Sequence, residues 1–211
     1  IVVSGDTAGR IVPCGCTSNQ YGGLPRRGTY VGDLRRTHEV IVADAGGAAR
    51  GVSPYDRVKF EAILRGELAM GLVAHNVGAS EAALGPDYLR ELTQRLGVPF
   101  VSANVRQRDG QPVAEPVRIV RVAGRRVALT GVLDPQCLSQ GRGGEQPTSG
   151  VFKTSGVLIE PPAESLLDAL RTVAGQYDAV IVLAYMPQDS LRQLAALVPE
   201  ADAVVGGPTG Q

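Results

Sequence analysis

Leu72-Val73-Ala74-His75-Asn76-Val77-Gly78, Gly85-Pro86-Asp87-Tyr88-Leu89 and Phe100-Val101-Ser102-Ala103-Asn104 decide the fold class. The first and third pieces carry short, continuous apolar runs, at 72–74 and 100–103, the pattern of strands covered on both faces. Between them Gly85-Pro86 opens a helix over 86–96, because proline suits the first helical position. Strand, helix and strand in that order form the repeating unit of a parallel sheet.

Further strands are expected at 1–4, 40–43, 117–122, 127–131, 180–184 and 203–205, and further helices at 24–36, 54–70, 162–176 and 189–198. Ala123-Gly124 joins two of the strands as a β-hairpin. Residues 134–156, rich in Gly, Ser, Gln and Pro, read as a long irregular loop, and such loops are commonly functional. The expectation is a layered α/β domain covering 1–211. The opening Ile1-Val2-Val3-Ser4, without Met, and the abrupt end at Gln211 suggest a leader already removed and a piece of a longer chain.

With 21 Lys+Arg against 21 Asp+Glu, the net charge is zero, which argues against a nucleic-acid footprint or a polybasic membrane patch. At 44% hydrophobic and 20% charged residues, the chain is not of the disordered class. No apolar run approaches the roughly 20 residues of a membrane span. His38 and His75 are the only histidines, too few for the imidazole-rich sites of most zinc and di-metal hydrolases. His38 reads as solvated on a charged turn, and His75 as a hydrogen-bonded residue of the rim where the strands end.

In layered α/β folds that rim holds the chemistry. Here it comprises Gly5-Asp6-Thr7-Ala8-Gly9, Asp44-Ala45-Gly46-Gly47, His75-Asn76-Val77-Gly78, Ser102-Ala103-Asn104, Tyr185-Met186-Pro187 and Gly206-Gly207-Pro208. Gly, Asp and Asn also serve ordinary turns. With Ala82-Ala83-Leu84-Gly85-Pro86-Asp87-Tyr88-Leu89, Leu129-Thr130-Gly131 and Val204-Val205-Gly206-Gly207, however, the ordered series resembles the calcineurin-like metallophosphoesterase domain of secreted 5'-nucleotidases. The resemblance runs from Asp6 to Gly210. It implies a four-layer αββα sandwich with two mixed sheets.

The ligands that the resemblance implies are mostly missing. Asp6 stands at the first Asp position, but Ala8 takes the first His position. Asp44 and Gly46 fit the second motif, while Gly47 replaces the metal-bridging Asp. Gly78-Ala79-Ser80-Glu81 matches Gly-Asn-His-Glu only at its ends. Tyr185, Pro208 and Gly210 replace three further His. Asp6, Asp44 and Glu81 are thus remnants of a site, and two cations about 3.5–4 Å apart lack their donors. The resemblance implies a pseudoenzyme. The alternative is a divergent 5'-nucleotidase or phosphoesterase with a reduced metal site on Asp6, Asp44 and His75.

Cysteine supplies the remaining chemistry. Cys14-Gly15-Cys16 places two Cα atoms no more than about 7 Å apart, at the edge of disulfide range. A strained bridge there would be readily reduced, and Gly22-Gly23 with Arg26-Arg27 could lower a thiol pKa. Cys137 lies on another post-strand loop. Three readings stay open: a structural disulfide of Cys14 or Cys16 with Cys137, a redox dithiol, or a soft-metal site of Cys14, Cys16, Cys137 and His75 for a single zinc or copper. No haem attachment motif is present. The Pro13-Cys14-Gly15-Cys16 loop also resembles a divergent cell-envelope group of nucleotidase-like proteins. That likeness implies a periplasmic or extracellular setting and a protein partner in an electron-transfer assembly, such as a multihaem cytochrome.

Overall fold

In the computed structural model, residues 1–13, 22–139, 152–154 and 156–208 are described. The elements begin β1 (Val2–Ser4), α1 (Leu24–Leu34), β2 (Val42–Asp44), α2 (Pro54–Ala69), β3 (Leu72–Asn76), α3 (Ala79–Leu84), α4 (Pro86–Leu96) and β4 (Phe100–Val101). They continue through β5 (Val105–Gln107), β6 (Val117–Val122), β7 (Arg125–Leu133), α5 (Gln136–Ser139), β8 (Phe152–Thr154) and β9 (Val157–Ile159). The last are α6 (Pro162–Thr172), β10 (Ala179–Tyr185), α7 (Gln188–Leu197) and β11 (Ala203–Gly207).

The first sheet has the order β1-β2-β3-β4 and is wholly parallel, since a helix separates each strand from the next. The second, β11-β10-β7-β6, is parallel except for the β6–β7 hairpin. The two stacked sheets are those expected, save that the first is parallel throughout and only the second is mixed. A third, antiparallel sheet, β5-β9-β8, was not foreseen. Its strands have three residues each, and β8 falls inside the stretch read as irregular loop.

Side-chain alternation builds the layers. Along β10, Val180, Val182 and Ala184 pack with Leu166, Leu170 and Leu194 of α6 and α7. Ile181 and Leu183 point the other way, joining Ala43, Ala74 and Val101 of the first sheet. Phe60, Ile63 and Leu64 of α2 and Leu89 and Leu92 of α4 cover the outer face of that first sheet. Helix, sheet, sheet and helix thus stack as an α/β sandwich.

Two asparagines join the sheets where the strands end. Asn76 donates to the carbonyls of Ala45 and Val132, both at 3.0 Å. Asn104 donates to Leu133 O at 2.8 Å and accepts from Leu133 N at 2.9 Å. Gly131 is required by the first tie, because a Cβ there would collide with Asn76 Oδ1.

Helix starts follow the sequence signals. Ser53 Oγ accepts from Asp56 N at 3.2 Å and donates to Asp56 Oδ2 at 2.6 Å, a reciprocal cap. The hairpin turn has positive φ at both central residues, 46° at Ala123 and 73° at Gly124. A side chain such as Ala is strained there, whereas Asn tolerates it. Ala123→Asn is therefore expected to raise stability by about 0.5–1 kcal/mol, read as a higher denaturant midpoint with an unchanged m-value.

Candidate functional site

The rim is built from two loops zipped together. The N–H groups of Asp6, Ala8 and Gly9 donate to the carbonyls of Gly46, Gly47 and Ala48, each at 2.8 Å. Asp6 and Ala8 are held at φ 50° and 48°, left-handed conformations that cost a non-glycine residue about 1–2 kcal/mol. The zipper compensates that strain.

Tyr185, at the end of β10, lays its ring over this zipper. A Cβ on Gly47 would meet Tyr185 Cε2 at 2.5 Å, and one on Gly78 would meet Tyr185 Cδ2 at 3.0 Å. The phenol oxygen lies 3.5 Å from Asp6 Oδ1. Asp6, Gly47, Gly78 and Tyr185 therefore meet around one ring. Burial, then the carboxylates of Asp6 and Glu81, raise the phenol pKa, so Tyr185 stays neutral. Beside it a cleft of about 180 Å³ is lined by Ser4, Asp6, Ala45, Gly207 and Pro208 among others.

Cys137 joins the same rim. Its half-buried thiol donates to Tyr185 O at 3.7 Å. Burial, then Asp134 and Asp6, push the thiol pKa up to about 12, so at neutral pH it is a protonated thiol and a poor nucleophile. Cys14, Cys16 and Gly210 lie outside the described residues.

Beneath the rim, between the first sheet and helices α1 and α2, lies a second polar cluster. Strand pairing places Ser4 beside Asp44 and Asp44 beside His75. Arg27 of α1 donates to Glu67 Oε1 at 2.9 Å, Ser4 Oγ at 2.8 Å and Thr7 Oγ1 at 2.9 Å. It thus serves this cluster. Asp44 accepts from Ser4 Oγ at 2.5 Å and Gly46 N at 2.8 Å, with Arg27 at 3.8 Å. His75 Nδ1 donates to Glu67 Oε2 at 3.1 Å, and its ring edge meets Phe60 and Phe100.

Glu81 connects the two clusters. Its carboxylate accepts from the successive N–H groups of Gly47, Ala48 and Ala49, at 2.9, 2.8 and 3.2 Å. It also stands 3.7 Å from His75 Nε2. Burial raises the Glu81 pKa, but His75 and the backbone donors outweigh it and the net shift is downward. Burial, reinforced by Glu67, raises Asp44 to about 7. For His75, burial opposes the charge, yet Asp44, Glu67 and Glu81 prevail and raise the pKa.

The positions of two expected site residues are corrected. His75 is wholly buried and does not stand on the rim, because β3 runs two residues past position 74 and carries it under α2. Asp44 and His75 do come together, but with Glu67 instead of Asp6. Among the described residues, that trio is the set able to hold a metal ion, and it does not include Cys137. His38 is exposed, as expected. Glu67 and Arg27 were missed as site residues. Glu67 interrupts the apolar stripe Phe60, Ile63, Leu64 at helical spacing, and Arg27 sits between Leu24 and Val31. A charge inside such a stripe was the available signal.

No family model matches the chain, and no curated protein does. Solved structures do. A 5'-nucleotidase precursor from Thermus thermophilus superposes with a TM-score of 0.76 at 24% identity, over 97% of this chain and 40% of that one. NAD nucleotidase of Haemophilus influenzae gives 0.74 at 18% identity, over 98% and 37%. The calcineurin-like phosphoesterase YfkN of Bacillus subtilis gives 0.75 at 17% identity, over 97% and 70%. The fold is that of the calcineurin-like metallophosphoesterases. This chain spans about two fifths of the length of the two nucleotidases. On the metallophosphoesterase fold, the Asp6–Tyr185 rim lies at the strand ends, where such layered sheets bind ligands.

Proposed function

We propose that this metallophosphoesterase-like domain performs no two-metal phosphoester hydrolysis and acts as an interaction and redox module of the cell envelope, beside electron-transfer proteins such as multihaem cytochromes. The observation that carries this reading is the Tyr185 ring, packed on Gly47 and Gly78 and facing Asp6. It fills the space a cation pair would share. Ala8, Gly47, Ala79, Ser80 and Pro208 offer no side chain suited to replace the lost ligands.

The redox part rests on the cysteines. In the sequence Cys14 and Cys16 lie between Ile11 and Leu24, and Leu24 N donates to Ile11 O at 2.7 Å. Cys137, held as a thiol, suits neither an attacking nor a resolving role, so the redox role falls to Cys14 and Cys16. In the reduced protein at pH 7.5, iodoacetamide should modify Cys137 at least about tenfold more slowly than free cysteine, followed by peptide mass spectrometry.

The purified chain should give no turnover of p-nitrophenyl phosphate, bis(p-nitrophenyl) phosphate or AMP above a metal-only blank, with Mn²⁺, Co²⁺ or Zn²⁺ supplied. Turnover abolished by Asp6→Asn would sink the reading. A free-thiol count before and after reduction tests its redox half. The alternative of a phosphoesterase using Asp6, Asp44 and His75 has against it the burial of His75 and its pairing with Glu67.

A further inference from the structure

We infer that Asp44, Glu67 and His75 form a site for one divalent cation of the zinc class, set beneath the rim and separate from Asp6 and Tyr185. Each residue offers one ligating atom, and the three atoms lie within 4.8 Å of one another. All three side chains are fully buried. One imidazole nitrogen with two carboxylate oxygens suits zinc, whereas magnesium prefers oxygen ligands and keeps much of its water.

A separate observation points the same way. His75 Nε2 is buried with no hydrogen-bond partner among the described residues, although Glu81 Oε1 stands 3.7 Å away. Buried polar atoms are ordinarily satisfied. Metal-bound histidines characteristically give one ring nitrogen to the ion and the other, as N–H, to a carboxylate. Here Nδ1, which faces Glu67, is the nitrogen placed to take the ion in exchange for its hydrogen bond, and Nε2 is left as the N–H that faces Glu81 at 3.7 Å.

Three carboxylates, those of Asp44, Glu67 and Glu81, converge on His75, and the Arg27 guanidinium meets two of them. Arg27, whose side chain is 20% exposed, lies against Glu67 at 2.9 Å. The bound ion ties α2 and β3 through His75 to Glu81, and through Glu81 to the rim N–H groups of residues 47–49.

The test uses the full chain, stripped with a chelator and titrated with zinc chloride by calorimetry, followed by zinc K-edge absorption spectroscopy. One zinc per chain is expected, with a first shell of nitrogen and oxygen, imidazole scattering and no sulfur. His38→Gln should leave that spectrum unchanged, and since the chain has two histidines the surviving imidazole is His75. Glu67→Gln should weaken zinc binding by about a hundredfold or more, and Asp6→Asn should not alter it. Sulfur in the shell would place zinc on the cysteines and overturn the inference. So would undiminished affinity in Glu67→Gln, loss of imidazole scattering in His38→Gln, or no retained zinc. Should Glu67→Gln fail to fold, the wild-type and His38→Gln spectra decide. A phosphoesterase result in either direction leaves this outcome independent.

Discussion

Gly47→Asp, which restores the metal-bridging carboxylate expected from the family resemblance, should cost about 3–5 kcal/mol of stability, and much of that loss should return when Tyr185→His is added. Two effects combine. Gly47 has φ 78°, a conformation disfavoured for an aspartate. Its new Cβ would also lie 2.5 Å from Tyr185 Cε2 and 3.1 Å from Asp6 Cα. The tyrosine ring must therefore leave or the rim must open. Replacing Tyr185 by the smaller imidazole removes the ring contact but not the backbone strain. The double variant should thus recover about 1–3 kcal/mol relative to additivity, measured by urea unfolding of all four proteins. Additive costs would show that Tyr185 does not fill the space facing Gly47.

The second large effect is at Glu81. Glu81→Ala is expected to destabilise by about 3–5 kcal/mol, because it strips the N–H groups of Gly47, Ala48 and Ala49 of their acceptor inside the protein. It also removes the carboxylate facing His75 Nε2. Hydrogen exchange locates the damage. Amides 47–49 should exchange through small openings in the variant, while those of β7 and β10 keep protection close to the reduced global value. Glu81→Gln keeps one acceptor oxygen and should fall between wild type and Glu81→Ala. Uniform loss of protection without preference for 47–49 would refute the anchoring role.

Much of the fold was legible because its long elements follow simple periods. The continuous apolar run of β10 marked a strand covered on both faces, and Pro54 and Pro86 marked helix starts. The third sheet was not legible. Strands as short as β5 and β9 carry too few residues to display a period, and their paired residues lie fifty or more positions apart. At the rim, Asp6, Gly47 and Tyr185 were each identifiable by position, but their convergence on one ring is a tertiary fact. His75 was misplaced because a strand end and a strand interior look alike in an apolar run of Leu, Val and Ala. Glu67 and Arg27 were overlooked because a charge on an amphipathic helix is ordinarily solvated. Only the opposing strands reveal that these two face inward.

The contact between Tyr185 and Asp6 joins residues 179 positions apart. A chain made from its N-terminus can assemble β1 to β4 and their helices from neighbouring segments, since each strand needs only the next βα unit. The rim cannot be completed then. The strained turn at Asp6 and Ala8 stands without its covering ring until β10 has emerged and docked between β7 and β11. A ribosome-bound chain stopped before Ala179 therefore presents an open rim, with the Gly47 and Gly78 surfaces bare and the Cys137 thiol without its Tyr185 carbonyl. Access to that thiol is in effect a clock for synthesis: it narrows when the tenth strand arrives.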